Sequence, residues 1–123
     1  MVVPFQPRRL VWLVNTMDAL RGFPSGVRTK LGFGLYLAQI GKKHESAKPL
    51  HGFGAPVWEV RAEARSGTSR AVYVVHLRDA VYVLHAFQKK AKSGIATPRQ
   101  EIELIRQRLK LANELDAQSG GEG

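Results

Sequence analysis

The sequence predicts an α+β domain in which a small antiparallel sheet, made of an N-terminal strand plus a three-strand meander, packs with two N-terminal helices and one C-terminal helix. Three observations predict it. Residues 57–88 hold three strand-like segments joined by connections too short to cross over, so their neighbours must be antiparallel. Residues 25–38 carry apolar side chains at helical steps, and residues 98–115 do the same behind a Thr-Pro start.

RRLVWLV (8–14) is short and rich in Val and Trp, as expected of a strand, and Asn15-Thr16 offers a cap for a helical turn over MDALRG. Ser25 is positioned to cap a helix in which Val27, Leu31, Leu35 and Ala38 form one face, ending at Gly41. Gly32 and Gly34 weaken that helix by roughly 1 kcal/mol each relative to Ala, which implies that packing holds it against a close neighbour. GKKHESAKPLHGFGAP (41–56) has the Gly, Pro and polar density of a loop. In VWEVRAEAR, Trp58, Val60, Ala62 and Ala64 point to one side, and Glu59, Arg61, Glu63 and Arg65 to the other. A turn at 66–68 leads to RAVYVVHL, apolar on both faces and so central in the sheet; Arg78-Asp79 turns the chain into AVYVLHAFQ. Thr97 as cap, Pro98 at the first helical position and Gln100 at the third open the last helix, with Ile102, Ile105, Leu109 and Ala112 as its apolar stripe. Residues 1–115 read as one domain, and DAQSGGEG (116–123), with nothing to bury, as a flexible tail.

Of the 123 residues 44% are apolar, enough for a modest core. There is no cysteine, which removes disulfides and thiolate metal sites and agrees with a cytoplasmic protein. The first apolar run is too short to span a bilayer, and no membrane partner is expected. Nineteen Lys and Arg against ten Asp and Glu give a net charge of +9, which favours polyanions through counterion release; maintenance of solubility is the competing explanation.

The position of the charge narrows the choice. Arg61 and Arg65 leave the polar side of the second strand, Arg70 enters the third, and Lys89, Lys90 and Lys92 leave the fourth. Arg61 and Arg70 flank one turn and can face each other across it. A solvated sheet face, its arginines neutralised by Glu59 and Glu63, is the plainer alternative. His85 sits among apolar residues on the side of Val81, Val83 and Phe87, where a satisfied core histidine is the commoner case. The other histidines are scattered, with no HExxH, so neither a metal nor another cofactor is expected. No Walker A, Rossmann or nucleophile-elbow pattern occurs in the required context.

FPSGVRTKLGFGLYLAQIGKKHESAKPLHGFG, VWEVRAE, and SRAVYVVHLRDAVYVLHAFQKKAKSGIATPRQEIELIRQRL together resemble the phage-related branch of the RelE/HigB toxins of toxin-antitoxin systems. The resemblance covers residues 8–112. It implies a RelE-like domain, a ribosome-dependent mRNA endonuclease that inhibits translation, and a cognate antitoxin of the helix-turn-helix kind. Carried over by position, it implies catalytic roles for Arg61, Arg70, Lys89 and Lys90; the attacking hydroxyl also needs a base, for which His85, Glu59 or Glu63 are candidates unless positioning by the ribosome suffices, and Lys48, Arg65 and Lys92 are the expected further RNA contacts. The implied chemistry is metal-free attack of a 2'-hydroxyl on the adjacent phosphate, with cationic side chains stabilising the phosphorane. The alternative is a non-catalytic RNA- or protein-binding module of the same fold.

Overall fold

A computed structural model describes residues 7–77, 79–89 and 97–121, without the side chains of 76, 77, 120 and 121. The chain forms β1 (Arg9–Trp12), α1 (Thr16–Arg21), α2 (Ser25–Gln39), β2 (Lys48–Leu50), β3 (Val57–Ala64), β4 (Gly67–Leu77), β5 (Ala80–Lys89) and α3 (Arg99–Gly121). The five strands make one sheet in the order β1-β5-β4-β3-β2. The expected α+β class and central place of β4 are both observed.

Two features of the sheet differ from expectation. β1 is parallel to β5, with Arg9 opposite Ala80 and Trp12 opposite Val83. Residues 48–50, expected as loop, form an edge strand against β3, with Lys48 opposite Glu59 and Leu50 opposite Val57. Three residues are too few for a periodic signal, and Pro49 is tolerated because an edge strand has one unpaired side.

The helices cover opposite faces. Leu20 of α1 and Val27, Leu31, Leu35 and Ala38 of α2 pack on Val60, Ala62, Ala71, Tyr73, Val81 and Val83. Ile105, Leu109 and Ala112 of α3 pack on the other side, against Val57, Val72, Val74, Tyr82 and Leu84. The side of β3 expected to be polar is thus partly a second core. Gly34 explains its presence in α2: a Cβ there would lie 2.5 Å from Val60 Cγ2, so the helix sits closer to the sheet than any side chain permits. Gly41, at φ +80°, closes α2 as a Schellman cap, with its N–H donating to Ala38 and that of Lys42 to Leu37.

Element ends moved slightly. Ser25 is the first residue of α2 rather than its cap, because the carbonyl of Pro24 already accepts the Arg28 N–H. Pro98 likewise accepts from Ile102 at the cap position, displacing Thr97. The β3–β4 turn is Arg65-Ser66, one residue earlier than expected, with Ala64 opposite Gly67. α3 continues to Gly121 instead of ending near Leu115. Asp116 lies near the Tyr82 hydroxyl, whose pKa burial raises and Asp116 raises further, giving the added turns a partner that apolar periodicity does not register.

Candidate functional site

The β3–β4 hairpin places its two arginines directly opposite each other, Arg61 against Arg70, because the turn lies at 65–66; a turn centred on Gly67 would have set Arg70 against Ala64. Opposed residues in antiparallel strands share a face. Pairing therefore sets Arg61, Arg70 and Phe87 in one row, Lys48, Glu59, Val72 and His85 in the next, and Glu63, Thr68 and Lys89 nearest the hairpin turn. All lie on the α3 side.

Glu59 is the centre of this surface. Its Oε1 accepts from Arg61 Nε at 2.7 Å and its Oε2 from Arg70 Nη1 at 3.1 Å. Glu59 and Arg70 are buried, at 0% and 1% exposure, whereas the Arg61 side chain is 30% exposed. The solvated face considered from sequence is therefore a sealed ion pair with one accessible edge. Arg61 is fixed from behind as well: Ser46 Oγ accepts from its backbone N–H and donates to its C=O, both at 3.2 Å, pinning the 41–47 loop to β3.

His85 reaches the α3 side through an irregularity. Val72 pairs with His85 but Tyr73 pairs with Val83, so Leu84 is an extra residue in β5. Such a bulge resets the alternation of side chains. It puts His85 with Phe87 and away from Val81 and Val83, correcting the side read from strict alternation. The imidazole stacks on Phe87 with centroids 4.9 Å apart, Nε2 meets Glu101 Oε1, and Nδ1 lies 3.0 Å from Arg108 Nη1. Arg108 also donates to the Leu84 carbonyl. A guanidinium only donates, so Nδ1 accepts and the proton resides on Nε2, directed at Glu101. Burial pulls the His85 pKa down and Arg108 adds to that, against the pull of Glu101, so the ring is neutral near pH 7.

The histidine-carboxylate pairing that the sequence did not reveal is thus present, supplied by Glu101 from α3. Glu101 and Arg108 fall on a stripe with Ile105 and Ala112, and two polar residues on a stripe that buries its apolar members were the available signal. Of the predicted residues, Arg61, Arg70, His85, Lys48 and Lys89 share one surface. Arg65 is exposed in the hairpin turn beside it. Lys90 and Lys92 lie outside the described residues. Among the described residues no three His, Asp or Glu side chains gather as metal ligands, and no helix is long and apolar enough to cross a membrane.

This architecture resembles that of RelE. The E. coli toxin RelE, solved in the free state as an arginine-substituted mutant, superposes with a TM-score of 0.55 and 21% identity, covering 85% of this chain and 97% of that one. The toxin-antitoxin complex RelBE2 from Mycobacterium tuberculosis matches at 0.47 and 14%, covering 69% and 94%. No curated protein matches the sequence. The family described as phage derived protein Gp49-like (DUF891) matches residues 18–110, from α1 to the middle of α3. Spanning both cores and the Glu59 surface, that match identifies the chain as a member of the Gp49-like phage-derived family, with a RelE-like fold.

Proposed function

We propose that the chain is the toxin of a toxin-antitoxin pair, a ribosome-dependent endonuclease that cuts mRNA in the cytoplasm and so inhibits translation. The observation that carries this reading is the placement of Arg61, Arg70, Lys48, Lys89 and His85 on one face of a RelE-like sheet, where Arg61 and Arg70 hold a buried carboxylate. In this reading Arg61, the exposed partner of Glu59, swings onto the scissile phosphate. Glu59 is thereby released on one side and takes the 2'-hydroxyl proton, while Arg70 keeps the carboxylate in place. Arg70, bonded to the other carboxylate oxygen, stays with Glu59, and its role is positional. Lys48, Arg65 and Lys89 supply positive charge along the strand, and Lys90 and Lys92 follow in sequence. Cations already fixed in place need no reorganisation as charge accumulates on the phosphorane, which is the term that contributes most.

His85 faces the leaving-group side of the row. It stands two strands from Glu59, roughly 10 Å between backbones, a span that two inward-reaching side chains close over a phosphate. A neutral imidazole cannot give up its one proton, which Glu101 holds, so His85 positions the leaving group and the Lys89 ammonium protonates the departing 5'-oxygen. No step uses a metal. The partner expected to silence the site is an antitoxin of the helix-turn-helix kind, attracted by the +9 charge.

The second reading, a binding module without nuclease activity, draws on the Glu59 pair itself, since a neutralised, buried Arg70 is also what a purely structural ion pair looks like. Adding the purified chain to a translation mixture and mapping message ends separates the two. Cleavage by the parent chain, reduced at least tenfold in a folded Arg61→Ala variant, supports the nuclease. Uncut messages bound by the parent chain support the module.

A further inference from the structure

Next to the Glu59 surface, on the flank of α3, is a cavity of about 260 Å³ lined by Leu50, His51, Phe53, Thr97, Ile102 and Arg106. Its walls are of two kinds. Leu50, Phe53 and Ile102 are half-buried and apolar, while His51 and Arg106 are exposed and Thr97 half-exposed at the rim. The Arg106 guanidinium lies over the Phe53 ring, 5.5 Å from its centroid. An aromatic ring beside an arginine plane, with hydrogen-bonding groups at the edge, is the combination that accepts an unstacked RNA base. None of these side chains takes part in the Glu59 or His85 networks.

Position adds the second argument. Leu50 is two residues from Lys48 on β2, and Lys48 is opposite Glu59. Two residues of strand span roughly 7 Å, comparable to the distance between successive phosphates of an extended strand. A chain with its reacting phosphate at Arg61 and an adjacent phosphate at Lys48 therefore brings a neighbouring base to the mouth of the cavity.

We infer that this cavity is a nucleobase subsite, which holds a base flanking the scissile phosphate and reads its edge through His51 and Thr97. The inference rests on the nuclease reading for its place in cleavage, but not for base binding itself. The purified full chain, titrated with the four nucleoside 5'-monophosphates and followed by NMR, tests the binding. Shifts centred on His51, Phe53 and Thr97, stronger for one base than for the others and weakened at least fivefold in Phe53→Ala, are expected. Shifts confined to the Arg61 surface, or none at millimolar nucleotide, overturn the subsite. The set of cleaved sequences in the translation mixture then tests its role. Phe53→Ala and His51→Ala are expected to broaden base preference next to the cut while cleavage at Arg61 persists. Unchanged preference in folded variants overturns the specificity role. Base-selective binding by a chain that cuts nothing retains the subsite and rejects the nuclease.

Discussion

The two faces of the sheet solve the same packing problem differently. Under α1 and α2 the contact is dry and close, with Gly34 pressed on Val60 and Leu31 and Leu35 fully buried. Under α3 the apolar contact gives way, toward the β3–β4 hairpin, to Glu59, Arg70 and His85, all buried and all bonded. Burying charges costs several kcal/mol per ion before any gain from pairing, whereas apolar side chains contribute roughly 1.5–3 kcal/mol each. On the nuclease reading, a face that gives up apolar contact for buried charge serves the chemistry, and the α1–α2 face supplies the stability that permits it.

Removing one member of the buried pair breaks this contrast most severely. Glu59→Ala leaves Arg70 charged and enclosed, and is expected to lower unfolding free energy by about 3–5 kcal/mol in denaturant titrations. A loss below about 1 kcal/mol would mean that water reaches Arg70 freely. On the opposite face, Gly34→Ala forces a methyl group into Val60 and should cost about 1–3 kcal/mol. Combining it with Val60→Ala should recover part of that loss, and strict additivity would show that the two positions do not touch.

A smaller effect is expected from pH. Burial holds the His85 pKa below its ordinary value of 6.5, so the unfolded chain takes up a proton that the folded chain resists, even with Glu101 and Arg108 beside the ring. The contribution of His85 is therefore complete above about pH 6.5 and is lost as pH falls from there toward the folded-state pKa. Stability measured between pH 7.5 and 5 should decline less steeply in His85→Asn than in the parent. Parallel profiles would remove His85 from the account. Smallest of all is Lys43, whose ammonium sits 4.1 Å from the centroid of a Trp58 ring on the α2 side. Lys43→Ala should cost about 0.5–1 kcal/mol and, on the nuclease reading, leave message cleavage unchanged.

How much of this was legible depends on the range of each interaction. Arg61 and Arg70 could be expected near each other because one short turn joins their strands, but their exact pairing depends on a turn at 65–66 rather than at 66–68. α2 and α3 announced themselves by period. His85 was misplaced because a bulge leaves no trace in alternating hydrophobicity, and its partners escaped notice because they are 16 and 23 residues away on another element. Glu59 was visible as a carboxylate near two arginines, but its burial depends on the layers above it, which no local pattern encodes. β1 and β2 show both limits, one partner being remote and the other strand too short.

The parallel pairing of β1 with β5 also has a meaning in time. Arg9 leaves the ribosome about seventy residues before Ala80, the residue it faces, which at ordinary rates of synthesis is an interval of roughly 4 to 14 s. Throughout it Leu10, Val11 and Trp12 have no strand to join, while the β3–β4–β5 meander needs only neighbours in sequence. We expect the meander to form first and the N-terminal strand to dock last, so that substitutions in β1 accelerate unfolding far more than they slow folding.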